Sequence, residues 1–296
     1  MIMYLKAQGK YTGHRASIYD LAQLDGEHFL SAGGDGYIVK WKITGDDYDG
    51  KAIASVDAKI FSMCLLTDGL IVIGDMNGHV YWVDTWKNTT LKNIPHHRKG
   101  VFSLIFHEGY VYSGGGSGLI TKWDIQNMLP IESIQASSDS IRQIIPYKKE
   151  KLLIGSSDNS IYQLDTQLMQ MDPLFPDAHE NSVFSLMIDG DHLYSGSRDA
   201  HINKYDIVTQ ELLARVPAHW FTVNDLIKIP GRPYMASASR DKRIRLLNTE
   251  SMEVIKSIDV QNGGHINSVN KLLYIHQHHT LLSASDDRTI SRFILE

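Results

Sequence analysis

Serine, histidine and aspartate recur along this chain in sets that resemble a hydrolytic triad. They are His14, Ser31 and Asp35; His179, Ser195 and Asp199; His219, Ser237 and Asp241; and His265, Ser283 and Asp287. A triad needs a hydroxyl nucleophile, an imidazole base and a carboxylate that orients the base beside an oxyanion site. An active site occurs once in a chain, whereas this set occurs four times. Repetition points instead to a scaffold in which buried polar groups satisfy one another and fix strand register. No catalytic residue is expected.

The elements that position these residues repeat with them. LYSGSRDAHINKYD at 193–206 has relatives at 29–42, 111–124, 235–248 and 281–294, with weaker copies at 70–84 and 152–165. The turn position falls at Asp35, Asn77, Ser117, Asp158, Asp199, Asp241 and Asp287, in steps of 42, 40, 41, 41, 42 and 46 residues. Seven such units use up the chain, so residues 1–296 are expected to form one domain. Each unit reads as four short strands. In the fifth these are residues 183–188, 193–197, 201–206 and 211–216, separated by turn signals. No 3.6-residue apolar stripe persists, so the class is all-β. A four-stranded unit repeated radially is the sequence form of a β-propeller.

The residues resemble those of the WD-repeat (WD40) propellers along the whole chain. The opening Gly-His of that family is matched at Gly13-His14 and Gly264-His265, and as Ala-His at 178–179 and 218–219. Its closing Trp-Asp is matched at Trp123-Asp124 and in part at Trp41-Lys42 and Tyr205-Asp206. The resemblance implies a seven-bladed ring in which Trp, Ser, His and Asp hydrogen-bond across the strands. Blade 1 has the full set, with Trp41. Blade 3 has His97 and Trp123 but Ser117 for Asp, and blades 2 and 4 place Val56 and Ser137 where the His belongs. Those two blades are expected to be the loosest part of the ring. The last unit ends without its outermost strand, so an N-terminal strand at about residues 2–7 is expected to complete blade 7, closing the ring and removing exposed sheet edges.

Three features tempt a chemical reading. The run His276-Gln277-His278-His279 has metal-binding residue types, but it sits in a hairpin turn that offers no ordered second shell. The acidic loop at 45–50 lacks the glutamate that an EF-hand places at its twelfth position. Cys64 falls in an innermost strand and reads as a buried structural thiol. No metal and no cofactor are expected.

The resemblance also implies where a partner binds: over the top face, around the mouth of the central channel. The anchors there are the first apolar residues of the innermost strands, Ile18, Ile60, Val101, Ile141, Val183, Val223 and Val269. The residues that follow are Tyr19, Phe61, Phe102, Arg142, Phe184, Asn224 and Asn270. Clustered aromatics at a channel mouth mark a binding surface; the alternative is that the rings plug a narrow channel. As a surface they would hold an aliphatic or cationic peptide side chain, or Arg142 would clamp a carboxylate. Arg198, Trp220 and Arg240 form a second partner-binding candidate on the same face, whereas Trp82 and Trp86 read as lying on the outer side.

Composition narrows the function classes. A net charge of −5, with no lysine or arginine run, argues against nucleic acid as a partner. No stretch of about 18 apolar residues is present to cross a bilayer. The single cysteine excludes an intrachain disulfide framework. The N-terminus has no basic segment followed by an apolar run, so a cytoplasmic location is expected. For 33.4 kDa, surface scaling gives roughly 12,600 Å² folded, enough burial for a core without staples. The expected function is a non-enzymatic protein- or peptide-binding scaffold, monomeric in isolation. Alternatives are a fixed subunit of a larger complex that uses its rim or bottom face, and an enzyme or small-ligand binder at the channel mouth. The last would need carboxylates or histidines among the mouth residues, and neither the seven residues above nor those just before the anchors include one.

Overall fold

Alternating apolar residues and tight turns divide every repeat into four antiparallel strands. Seven such sheets stand radially around a channel. A computed structural model describes residues 5–45, 48–67 and 69–296, with an accessible surface of 12995 Å². The fifth blade consists of Val183–Asp189, His192–Ser197, Ile202–Asp206 and Leu212–Val216, in order from channel to rim. This agrees with the expected strands to within a residue or two at each end.

Two turn devices recur. After the third strand, Asp84, Asp124, Asp165, Asp206 or Asn248 accepts backbone N–H groups two and three residues on, which turns the chain into the outer strand. Between the second and third strands, Gly78 takes φ 90°. A Cβ there would lie 2.0 Å from the His97 carbonyl oxygen, so only glycine permits this approach.

The core lies between blades. Leu30 and Ile38 of blade 1 pack on Ile60, Met63 and Ile71 of blade 2, and equivalent clusters fill the other junctions. Trp82 departs from the expected outer position. It is fully buried with Val72, Val101 and Trp123 between blades 2 and 3, while Trp86 is 76% exposed. Position along the third strand explains the difference, because Trp82 points into the junction and Trp86 sits in the following turn.

The N-terminal strand closes the ring, with corrected bounds. It runs Leu5–Thr12 and pairs antiparallel with Thr289–Leu295, from Leu5 opposite Leu295 to Thr12 opposite Thr289. Residues 2–4 of the expected strand lie outside the described residues. The expected strand stops at Ala7, whereas a bulge between Ala7 and Gly9 lets pairing continue. Tyr11 thereby reaches the core, 1% exposed, edge-on to Phe29 and Trp41, with its hydroxyl donating to the Lys42 carbonyl at 2.8 Å.

Tyr11→Ala should cost about 3–5 kcal/mol, the range for emptying an aromatic core site. Tyr11→Phe, which removes only the hydroxyl bonds, should cost about 1 kcal/mol. Urea titration followed by circular dichroism measures both. A Tyr11→Ala cost below 1 kcal/mol would show that the N-terminal strand does not hold the ring.

Candidate functional site

The innermost strand of each blade has an edge with no neighbouring strand, and every one of these strands is bulged at the same place. Ile18 pairs with Gly33 and Asp20 with Ala32, so Tyr19 is skipped. The register slips likewise at Phe61, Phe102, Arg142, Phe184, Asn224 and Asn270. An extra residue in a strand re-aims its side chain. All seven expected mouth residues are therefore the bulge residues, and each is half-buried.

Five of the seven form one continuous arc. Tyr19 meets Phe61 edge-on at 5.2 Å, and Phe61 stacks on Phe102 at 5.6 Å. The Arg142 guanidinium lies 4.8 Å from the Phe102 ring and 4.6 Å from the Phe184 ring. Glycines seat the rings, since a Cβ on Gly100 would lie 3.0 Å from Phe61 and one on Gly116 3.0 Å from Phe102. The arc borders a cavity of about 550 Å³. Arg142 itself fills the slot between Phe102 and Phe184.

Asn224 and Asn270 do different work. Asn224 donates to the Val269 carbonyl at 2.8 Å and Asn270 to the Ile18 carbonyl at 3.0 Å, each on the next blade. The residue after the bulge does the same elsewhere. Asp20 accepts from Met63 N–H at 2.8 Å, Ser103 from Ile144 at 3.0 Å, Gln143 from Leu186 and Asp225 from Leu272 at 2.9 Å. Ser62 and Ser185 donate to the Val101 and Val223 carbonyls. All seven joints between blades thus carry a side-chain-to-backbone hydrogen bond at the channel wall.

Carboxylates do line the channel, one residue deeper than the positions at which the sequence was inspected. Asp20 and Asp225 flank Lys271, whose Nζ lies 3.4 Å from Asp225. Burial raises both carboxyls, against the opposing charge of Lys271. Burial alone would lower the Lys271 ammonium, but the two carboxylates outweigh it and hold its pKa above the ordinary value. Both carboxylates accept backbone N–H bonds. Among the described residues no group of three or more His, Cys, Asp or Glu is placed to hold a metal ion.

The triad-like sets are built as a network. In blade 1, His14 Nε2 lies 2.7 Å from the Ser31 hydroxyl, Nδ1 lies 2.9 Å from Asp35, and Trp41 Nε1 donates to Ser31 at 2.8 Å. His179–Ser195–Asp199, His219–Ser237–Asp241 and His265–Ser283–Asp287 repeat the geometry. Every one of these imidazole side chains is fully buried. Burial would raise the aspartates, but the imidazole and the turn amides outweigh it and hold them below the carboxylate range.

Blades 2 and 4 have a substitute that the sequence reading missed. Tyr81 donates to Asp75 at 3.0 Å, and Tyr162, at the equivalent place, donates to Asp158 at 2.9 Å. Ser137 also bonds Asp158, at 2.6 Å. In both blades the serine position is apolar, Ile73 or Ile154, so no buried hydroxyl is orphaned. Blade 3 is the exception. His97 Nε2 meets Ser113 at 2.8 Å, but its Nδ1 is buried with no partner, because Ser117 replaces the aspartate.

On the same face, Trp220 is 74% exposed, and Arg198 and Arg240 are exposed. The sequence reading missed their neighbours: Phe221, with Arg240 6.0 Å from its ring; Arg243, 5.4 Å from the Trp220 ring; and Ile266, exposed at the matching place on blade 7. The signal available was the column of residues after each network histidine. The histidine run at 276–279 is a hairpin turn with His278 bonded to the Gly26 carbonyl. Cys64 is buried and free, and burial pushes its thiol up to about 12.

The family profile "WD domain, G-beta repeat" (WD40) matches residues 5–42, 173–206 and 210–248. Each match covers one outer strand and the next blade's three inner strands, and together they contain the His–Ser–Asp sets of blades 1, 5 and 6. Kinesin-like protein KIF21A of Homo sapiens is 26% identical over 191 residues, 61% of this chain and 11% of that protein. Eukaryotic translation initiation factor 3 subunit I of Vanderwaltozyma polyspora is 31% identical over 71 residues, 24% of this chain and 20% of that one. The chain thus matches only a small part of the length of these relatives. The crystal structure of the WD40 beta propeller domain of Doa1 superposes with a TM-score of 0.86 at 20% identity, covering 98% of this chain and 96% of that one.

The unpaired His97 predicts an acid sensitivity. Burial, aided by the charge of His96, pushes the His97 pKa down to about 4, from an ordinary 6.5. The unfolded chain therefore takes up a proton as pH falls through 6.5, while the folded chain does not until about 4. Stability is full above pH 6.5 and declines across that window, by about 2 kcal/mol between pH 7 and 5 from this group. Ser117→Asp supplies the missing acceptor and should remove most of that loss, measured as urea unfolding at the two pH values. An identical loss in both proteins would contradict the assignment.

Proposed function

This chain carries WD40 repeats and closes as a seven-bladed propeller, and from that premise we propose that it is a non-catalytic module that holds a protein or peptide partner at the channel mouth. The carrying observation is the split among the bulge residues. Asn224 and Asn270 are spent on joints between blades, while Tyr19, Phe61, Phe102, Arg142 and Phe184 form one connected, half-buried arc beside a cavity. Rings and an arginine in one place supply large contact area at low entropic cost. The step from fold to binding is an analogy with other propellers. The Trp220 patch, with Arg198 and Arg240, extends the same face as a second contact region. A cytoplasmic location belongs to the proposal and accords with the free thiol of Cys64.

A second reading is a fixed subunit held through the rim. It draws on the similarity to a protein named as a subunit and on exposed apolar residues of the outer strands, Leu129, Ile131, Leu212 and Leu213.

Site-specific photo-crosslinking separates the two. Benzoylphenylalanine replaces Tyr19 or Phe61 at the mouth, Leu212 on the rim, or Trp86 in an outer turn, in cells that express the chain. The proposal predicts a shared protein adduct at the two mouth positions and none at Leu212. Adducts confined to Leu212 or Trp86 would move the function to the rim or bottom face.

A further inference from the structure

Arg142 is the one cation of the arc, and it is held in place before any partner arrives. Its Nε donates to the Ser157 hydroxyl at 2.6 Å, and Phe102 and Phe184 flank the guanidinium at 4.8 and 4.6 Å. That leaves the two terminal amino groups. Among the described residues no carboxylate makes an ion pair with them, and Asp139, exposed on the loop before the strand, is felt only through its charge. Burial and the like charge of Arg198 both push the Arg142 pKa down, so the folded chain holds an incompletely compensated cation at the edge of the cavity at the channel mouth.

We infer that this site binds the side-chain carboxylate of an acidic residue in a peptide, taken bidentately by the terminal amino groups of Arg142, with an adjacent apolar side chain on Phe61 and Tyr19. The inference rests on the proposed mouth function and names its ligand. A planar guanidinium with Nε already used presents two parallel N–H bonds that match a carboxylate. Stacking between two rings fixes the fork, so little freedom is lost on binding. A cationic ligand is disfavoured by Arg142 and Arg198 together. Asp20 and Asp225, which line the same cavity with only Lys271 between them, repel a dianionic phosphate more strongly than a singly charged carboxylate.

The probe is a display library of random twelve-residue peptides panned on the full chain. Peptides enriched on wild type should share an Asp or Glu next to an apolar residue. Synthetic versions of the best peptide should lose at least tenfold in affinity when that residue becomes Gln, and should gain nothing when it becomes phosphoserine. Arg142→Met preserves the packing between the rings and should lose at least tenfold for the acidic peptide while leaving the Gln peptide unchanged. Arg142→Lys, which retains charge without the fork, should not restore binding. Thermal unfolding of each variant checks folding.

The outcomes separate the two levels. Peptides that bind, weaken on Phe61→Ala, yet lack an acidic consensus would leave the mouth as the site and overturn the carboxylate. A phosphoserine peptide tenfold tighter than its Glu counterpart would overturn the ligand class in favour of phosphate. Enriched peptides insensitive to both Phe61→Ala and Arg142→Met, or no enrichment, would overturn the mouth reading and the inference with it.

Discussion

Seven strand edges face a channel with no partner strand, and the rest of the structure depends on how those edges are satisfied. Backbone N–H and C=O groups cannot be left unpaired against a packed wall without a cost comparable to a lost hydrogen bond. The chain answers with one bulge per innermost strand and one reaching side chain per joint. Asp20, Ser62, Ser103, Gln143, Ser185, Asp225 and Asn270 each bond the backbone of the next blade. The same slip in register turns a second side chain out toward the mouth. Ring integrity and a candidate binding surface therefore come from a single local device.

Farther out, the His–Ser–Asp network shows how one requirement, pairing of buried polar groups, is met by different residues. Where histidine is absent its serine partner is absent too, and Tyr81 donates to Asp75, at the strand end before the turn, as Tyr162 does to the turn residue Asp158. Blades 2 and 4, which read as the weak part of the ring, contain this compensation. Blade 3 keeps the histidine but loses the aspartate, which leaves His97 Nδ1 buried without a partner. Half a network is costlier than none.

Much of the architecture was legible because a repeat period is a strong signal. Seven turn positions in register gave the blade count, and an incomplete last unit gave the closure. Anchors such as Ile18 and Val183 located the mouth residues by counting. What escaped depends on geometry that counting does not carry. The Ala7–Gly9 bulge extends the closing strand to Thr12, past the apolar run that ends at Ala7. Asp20 and Asp225 lie one residue beyond the columns inspected, and pleating sends them down the channel. Trp82 was misplaced because a residue on the third strand and one in the next turn look alike in sequence. That Arg142 fills the aromatic slot follows only from the ring separations.

Amide hydrogen exchange followed by nuclear magnetic resonance tests the central claim most directly. The N–H groups of Met63, Ile144, Leu186 and Leu272 sit on channel-facing edges, and here each is bonded by a side chain of the preceding blade. If these bonds latch the ring, the four amides exchange only through large-scale opening, as slowly as amides paired inside the sheets. Exchange of these four within minutes, while the sheet amides stay protected, would contradict the account.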